Sequence, residues 1–147
     1  MAAGIPAVTP AVTPGLIPAE YRDLFGKPCI AYLGAVLRSG RVLVNPVWCE
    51  LEGQHLNLVL GAEGGKVAIL HRDPRVTLCI TDPETPNRYL ELRGRVTSLS
   101  PEGGAALLAR LNRRYEEAAD PVPAGSDPAT GYLKVVFKPE EVRHYTG

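Results

Sequence analysis

The stretch RYLELRGRVTSL, residues 88 to 99, sorts its side chains by a period of two. Leu90, Leu92 and Val96 fall on one side of an extended chain, and Glu91, Arg93 and Arg95 on the other. A helix repeats every 3.6 residues and cannot separate them this way, whereas a strand with one buried face must. The same alternation recurs in CIAYLGAVL (29–37), RVLVNPVWCEL (41–51), HLNLVL (55–60), VTLCIT (76–81) and YLKVVFKP (132–139). Turn chemistry separates these runs: Arg38-Ser39-Gly40 joins the first two as a hairpin, Glu52-Gly53-Gln54 follows, and DPETPN (82–87) precedes the long strand. The charged face of residues 88–99 opposite their apolar one predicts an antiparallel, half-buried sheet. Pro46 lies inside the second run and places it at an edge or a bulge, because proline has no N–H to give to a ladder.

Helical spacing is confined to a few segments. PAEYRDLF puts Tyr21, Leu24 and Phe25 on one face, with Pro18 suited to a first turn. Ser100 and Pro101 fit the start of one substantial helix over about 101–118, whose stripe is Leu107, Leu108, Leu111 and Tyr115. Six strands with one long helix between the fifth and sixth predict a mainly β, α+β chain: a small six-stranded antiparallel Greek-key barrel. In front of it, Pro6, Pro10, Pro14 and Pro18 stand four apart, a spacing that excludes a helix interior or a central strand. Residues 1–16 are therefore expected to be a flexible Pro/Ala-rich arm, either free or lying along a partner subunit, and 17–147 the folded domain.

Charge narrows the function. Sixteen basic and sixteen acidic residues cancel, so no bulk field favours nucleic acid or an anionic membrane, and an anion site has to be local. No run approaches the roughly 18 to 20 apolar residues of a membrane helix, and Met-Ala-Ala-Gly lacks a signal peptide's basic start. Cys29, Cys49 and Cys79 sit in apolar runs with no CxxC spacing, as expected of buried thiols in a reduced, cytoplasmic protein. No cluster with metal-ligand spacing, nucleophile motif or carboxylate pair is present, and His55, His71 and His144 are scattered.

One local anion site is legible in GGKVAILHRDPR (64–75). Lys66 follows two glycines and opens a short helical turn that Asp73-Pro74 ends. It is either a solvated surface lysine or a cation set beside the free N–H groups of that turn, where a phosphate is favoured. Trp48, the sole tryptophan, either stacks near a planar ligand or fills the core. Arg72, Asp73 and Arg75 read first as a helix-end salt-bridge cluster.

Taken in order, RSGRVLVNPVWCELEGQHLNLVL, GGKVAILHRDPRV, DPETPNRYLELRGRV and a helix ending in RRY resemble the split β-barrel family of pyridoxamine 5'-phosphate oxidase-like flavin and deazaflavin oxidoreductases. Within it they are most similar to the branch that uses the deazaflavin coenzyme F420. The resemblance runs from about Ile17 to the C-terminus. It implies a homodimer with cofactor sites at the interface, Lys66 on the cofactor phosphate, and Asn45, Pro46, Val47 and Trp48 along the ring. Val59, Leu60 and Gly61 are implied alongside, with Gly65 allowing close backbone approach and Arg72 as a further donor. The implied chemistry is hydride transfer between coenzyme F420 and an unsaturated small molecule, needing no catalytic side chain and no metal. Where the family pattern carries an arginine and an asparagine after the lysine, this chain has Ala68 and Ile69. An FMN-binding oxidase or reductase of the same fold, and a non-catalytic cofactor-binding protein, are the alternatives.

Overall fold

The computed structural model describes residues 11–13, 16–115 and 131–146. Eight strands form one sheet: β1 (Ala11–Thr13), β2 (Ala31–Val36), β3 (Val42–Val47), β4 (Cys49–Glu52), β5 (His55–Gly61), β6 (Arg75–Thr81), β7 (Arg88–Ser100) and β8 (Tyr132–Thr146). A 3-10 helix (Ala19–Gly26) precedes β2, α1 (Gly65–Arg72) precedes β6, and α2 (Gly104–Tyr115) precedes β8. Every strand pairing is antiparallel, in the order β3-β2-β6-β7-β8-β5-β4, with β1 added to β8. Three consecutive strands, β6 to β8, with β5 returning beside β8, make the expected Greek key.

The curl of this sheet follows from its two ends. β3 and β4 lie at opposite ends of the strand order, yet only Trp48 separates them in the chain. A sheet whose terminal strands are joined by one residue has to wrap round on itself. The single strand expected over 41–51 is thus two strands: Ala31–Val36 holds its first half and His55–Gly61 its second. Together with β1, this raises the expected six strands to eight. Inside the wrap, alternation does what the pattern demanded, burying Leu33, Leu56, Leu58, Leu78, Ile80, Leu90, Leu92, Val135 and Phe137 together.

Two other boundaries move for steric reasons. The last strand continues past Pro139 to Thr146, because the β7–β8 register shifts between Arg93 and Gly94 and the proline falls in that irregularity. A Cβ on Gly94 would stand 2.1 Å from the Lys138 carbonyl oxygen, so this crossing admits only glycine. α2 begins at Gly104 and not at Pro101. Ser100 Oγ accepts the Glu102 N–H at 3.1 Å, Gly103 takes φ +80°, and a Cβ on Gly104 would lie 1.9 Å from the Tyr132 carbonyl. The glycine pair lets the helix abut β8. Residues 1–10 of the expected arm, the helix tail after Tyr115 and most of the 120–131 loop fall outside the described residues. Ala11–Thr13, expected in the arm, instead pairs with Val142–His144 of the same chain.

An ion-pair hub fastens the 3-10 helix to the β6–β7 turn. Buried Asp82 accepts from Lys27 Nζ at 3.1 Å, from Arg88 Nη1 at 2.9 Å and from the Glu84 N–H at 2.9 Å. Arg88 also bonds Asp23 at 2.7 Å and lies 4.7 Å over the Tyr21 ring. Burial pushes the Asp82 carboxyl up, but the Glu84 amide and the two cations outweigh it and hold it at about 2.

Candidate functional site

The groove that matters opens in the seam left by the wrap. β3 turns away from β5 to pair with β2, and α1 lies beside the gap. Leu43 and Asn45 from β3, Leu60 and Gly61 from the end of β5, and Gly64, Gly65, Lys66 and Ile69 line a cavity of about 290 Å³. A Cβ added at Gly61 or Gly65 would meet no atom within 4 Å, so each glycine leaves open groove where a side chain would stand.

α1 has an unusual start. Its N-cap, Gly64, offers no side-chain acceptor, and no acidic residue occupies its first turn. The Val67 N–H reaches the Gly64 carbonyl at 3.2 Å, while the Gly65 and Lys66 amides find no backbone acceptor among the described residues. Lys66 adds a cation at the positive end of the helix, an arrangement the macrodipole disfavours. Among the described residues no carboxylate pairs with it, and burial alone pushes its ammonium below the usual lysine range. By contrast, His71 and Arg72 lie at the far end of α1, where positive charge is favoured. A half-buried cation beside free amides, with apolar Leu43, Leu60 and Ile69 opposite, is suited to an anionic group on a largely apolar ligand.

The structure thus brings together Asn45, Leu60, Gly61, Gly65 and Lys66 from the residues read in the sequence. It places the others elsewhere. Val47 is buried in the barrel core and Pro46 points outward from the edge strand. Trp48 stacks on Tyr115, with ring centroids 4.7 Å apart and planes 2° from parallel, and packs with Val59 against Leu107 and Leu111 of α2. Arg72 donates to the Val36 carbonyl at 2.6 Å, and the helix-end ion pair is Asp73 with Arg75 at 2.9 Å. Leu43 is the lining residue that the sequence reading does not name, although period two from Asn45 on the same strand points to it.

A larger groove of about 530 Å³ runs over the outer face of the sheet, past Gly34, Val36, Val42, Arg75, Arg93 and Glu141. Its cations are spent on neighbours, Arg75 on Asp73 and Arg93 on Glu91. It lacks the half-buried unpaired charge of the smaller groove, so size does not decide between them. Among the described residues no helix is long and apolar enough to cross a membrane.

Residues 17–146 match the family model described as pyridoxamine 5'-phosphate oxidase. Among solved structures, one titled F420 reductase is 29% identical, with a TM-score of 0.73, covering 86% of this chain and 98% of its own. A conserved hypothetical protein from Mycobacterium tuberculosis aligns at a TM-score of 0.64 and 19% identity over 89% of this chain and 86% of that one. General Stress Protein 26 from Bacillus anthracis aligns at 0.61 and 14%, over 83% and 88%. These last two show the fold alone. Comparison with curated proteins gives no match.

Proposed function

The chain belongs to the pyridoxamine 5'-phosphate oxidase family, and from that premise we propose that it is an oxidoreductase using the deazaflavin coenzyme F420 to reduce an unsaturated small molecule. The observation that carries this reading is Lys66: a half-buried ammonium with no counterion among the described residues, beside two amides with no acceptor among them, at the end of a groove walled by Asn45, Leu60 and Gly61. The 29% identity to a structure titled F420 reductase favours the deazaflavin over FMN.

When bound, the cofactor would supply the hydride chemistry. The chain's residues bind and orient. Lys66 and the Gly65 and Lys66 amides hold the phosphate, as a point charge and two dipoles. Asn45 donates its amide to the Val44 carbonyl at 2.8 Å, which leaves its side-chain oxygen to accept from a ring N–H. Leu43, Leu60 and Ile69 exclude water from the ring. Ile69, standing where the family pattern has a polar donor, makes the phosphate end of this groove more apolar. Among the described residues, Lys66 is the lone basic side chain in its lining.

A homodimer completes the proposal. β3 is an open edge, and the face it shares with β2 exposes Tyr32, Val36, Val42 and Val44 at 42 to 66%. Next to that apolar strip, Glu91 pairs with Arg93 and Glu141 with Arg143, a net-neutral patch that a second copy related by a two-fold axis can match. The second copy covers the outer face and adds the missing wall of the Lys66 groove. Light scattering at micromolar concentration should give twice the chain mass, and a monomer would contradict this wall.

The cofactor assignment is tested by denaturing purified protein and reading the fluorescence of whatever is released, then adding reduced coenzyme F420 or reduced FMN with a panel of conjugated enones and quinones. Substrate-dependent oxidation of the deazaflavin is expected. Turnover with FMN alone would select the flavin reading, and turnover with neither would leave a carrier protein.

A further inference from the structure

We propose that Cys29 and Cys49 form a reversible dithiol/disulfide site, closed by a hydroperoxide and reopened by a thiol reductant. The argument starts from register and does not rest on the cofactor reading. β2 and β3 pair Val36 with Val42 and Ala31 with Val47. Carried two residues outward, the same register sets Ile30 against Trp48 and Cys29 against Cys49. The ladder itself ends at Ala31 and Val47, and packing agrees with the continuation: Ile30 and Trp48 both pack against Leu107, Leu111 and Tyr115, while Cys29 and Cys49 are both buried in the barrel core. Opposed residues of antiparallel chains stand about 4.5 to 5.5 Å apart at Cα, inside the roughly 4.4 to 6.8 Å span a disulfide can bridge.

Both are free thiols. The neighbouring Cys49 thiol lowers the Cys29 pKa, while the same partner and burial push Cys49 up. The end of α2 holds the two backbones in place: the Tyr115 hydroxyl donates to the Cys29 carbonyl, and Arg114 Nη1 to the Cys49 carbonyl at 3.3 Å. Attacking and resolving sulfurs are therefore held together, which lone buried thiols lack.

Cys29 and Cys49 are only 2% and 1% exposed, so the oxidant has to be small. In the first step the Cys29 sulfur attacks one peroxide oxygen, the O–O bond breaks, and the departing oxygen takes the thiol proton, leaving a sulfenic acid. The Cys49 sulfur then attacks the Cys29 sulfur, the S–O bond breaks, and water leaves with the second thiol proton. Two electrons pass from the sulfurs to the peroxide, and a dithiol returns them. Closure pins the Val47–Trp48–Cys49 crossover to the entry of β2, so Trp48 emission reports the redox state.

The full native chain is treated with hydrogen peroxide, then denatured, alkylated and mapped by mass spectrometry. Cys79, half-buried on the other sheet face, is the internal control. Free thiols should fall from three to one, with a Cys29–Cys49 link, Cys79 alkylated, full reversal by dithiothreitol, and the same link in Cys79→Ser. Persistence of both Cys29 and Cys49 as alkylated thiols would overturn the proposal. So would links scrambled among all three cysteines, which would mean pairing in opened chains.

Discussion

Two cations in this molecule, Arg88 and Lys66, have opposite surroundings. Arg88 gives its guanidinium to Asp82 and Asp23 and covers an aromatic ring, so each charge in its neighbourhood has a partner within the chain. Lys66 is also removed in part from water, yet has no acceptor among the described residues and stands at the wrong end of a helix for its sign. The first arrangement is what a fold does with charge when only stability is at stake. The second costs stability, and it makes sense if a ligand brings the missing anion.

The sharpest way to break the contrast is Arg88→Ala. Asp82 would be left buried with one cation in place of two, and unfolding by urea should show a loss of about 3 kcal/mol, while affinity for a cofactor stays unchanged. Acid tests the same hub. Asp82 titrates at about 2 in the folded chain, below the ordinary 3.8. Its contribution is whole above pH 3.8 and is lost as pH falls through 2, amounting to roughly 2 to 2.5 kcal/mol. Asp82→Asn should flatten that part of the pH–stability profile. At the groove, a Cβ at Gly65 meets no described atom within 4 Å, so in Gly65→Leu thermal unfolding should stay near wild type while cofactor affinity drops about tenfold. Smallest of all is the effect of Lys66→Met on the empty protein: a change within about 0.5 kcal/mol, with the sign toward greater stability. Marked destabilisation there would place Lys66 in the hub's class after all.

How much of this could be read in advance depends on how local each cause is. Alternation fixed the faces of Leu90, Leu92 and Val96 because a half-buried strand has no other way to lie. The break at Trp48 was not legible, since VNPVWCEL reads as one run and only the partners on either side divide it. Pro139 argued for a stop that a bulge absorbs. Lys66 stood out through its glycines, whereas Asn45, Leu60 and Gly61 rested on resemblance. In the block from Asn45 to Trp48, alternation turns Pro46 away from Asn45, while Val47, on the same side as Asn45, lies deeper in the barrel core. The juxtaposition of Cys29 and Cys49 needed the register, which the nineteen residues between them do not state.

Calorimetric titration of the cofactor-free protein with coenzyme F420, for wild type and Lys66→Met side by side, tests the central claim most directly. Saturable binding that weakens at least about tenfold in the variant, with the difference shrinking as salt is raised, is the expected result. Equal affinities for the two proteins, or no saturable heat from coenzyme F420 or FMN, would contradict it.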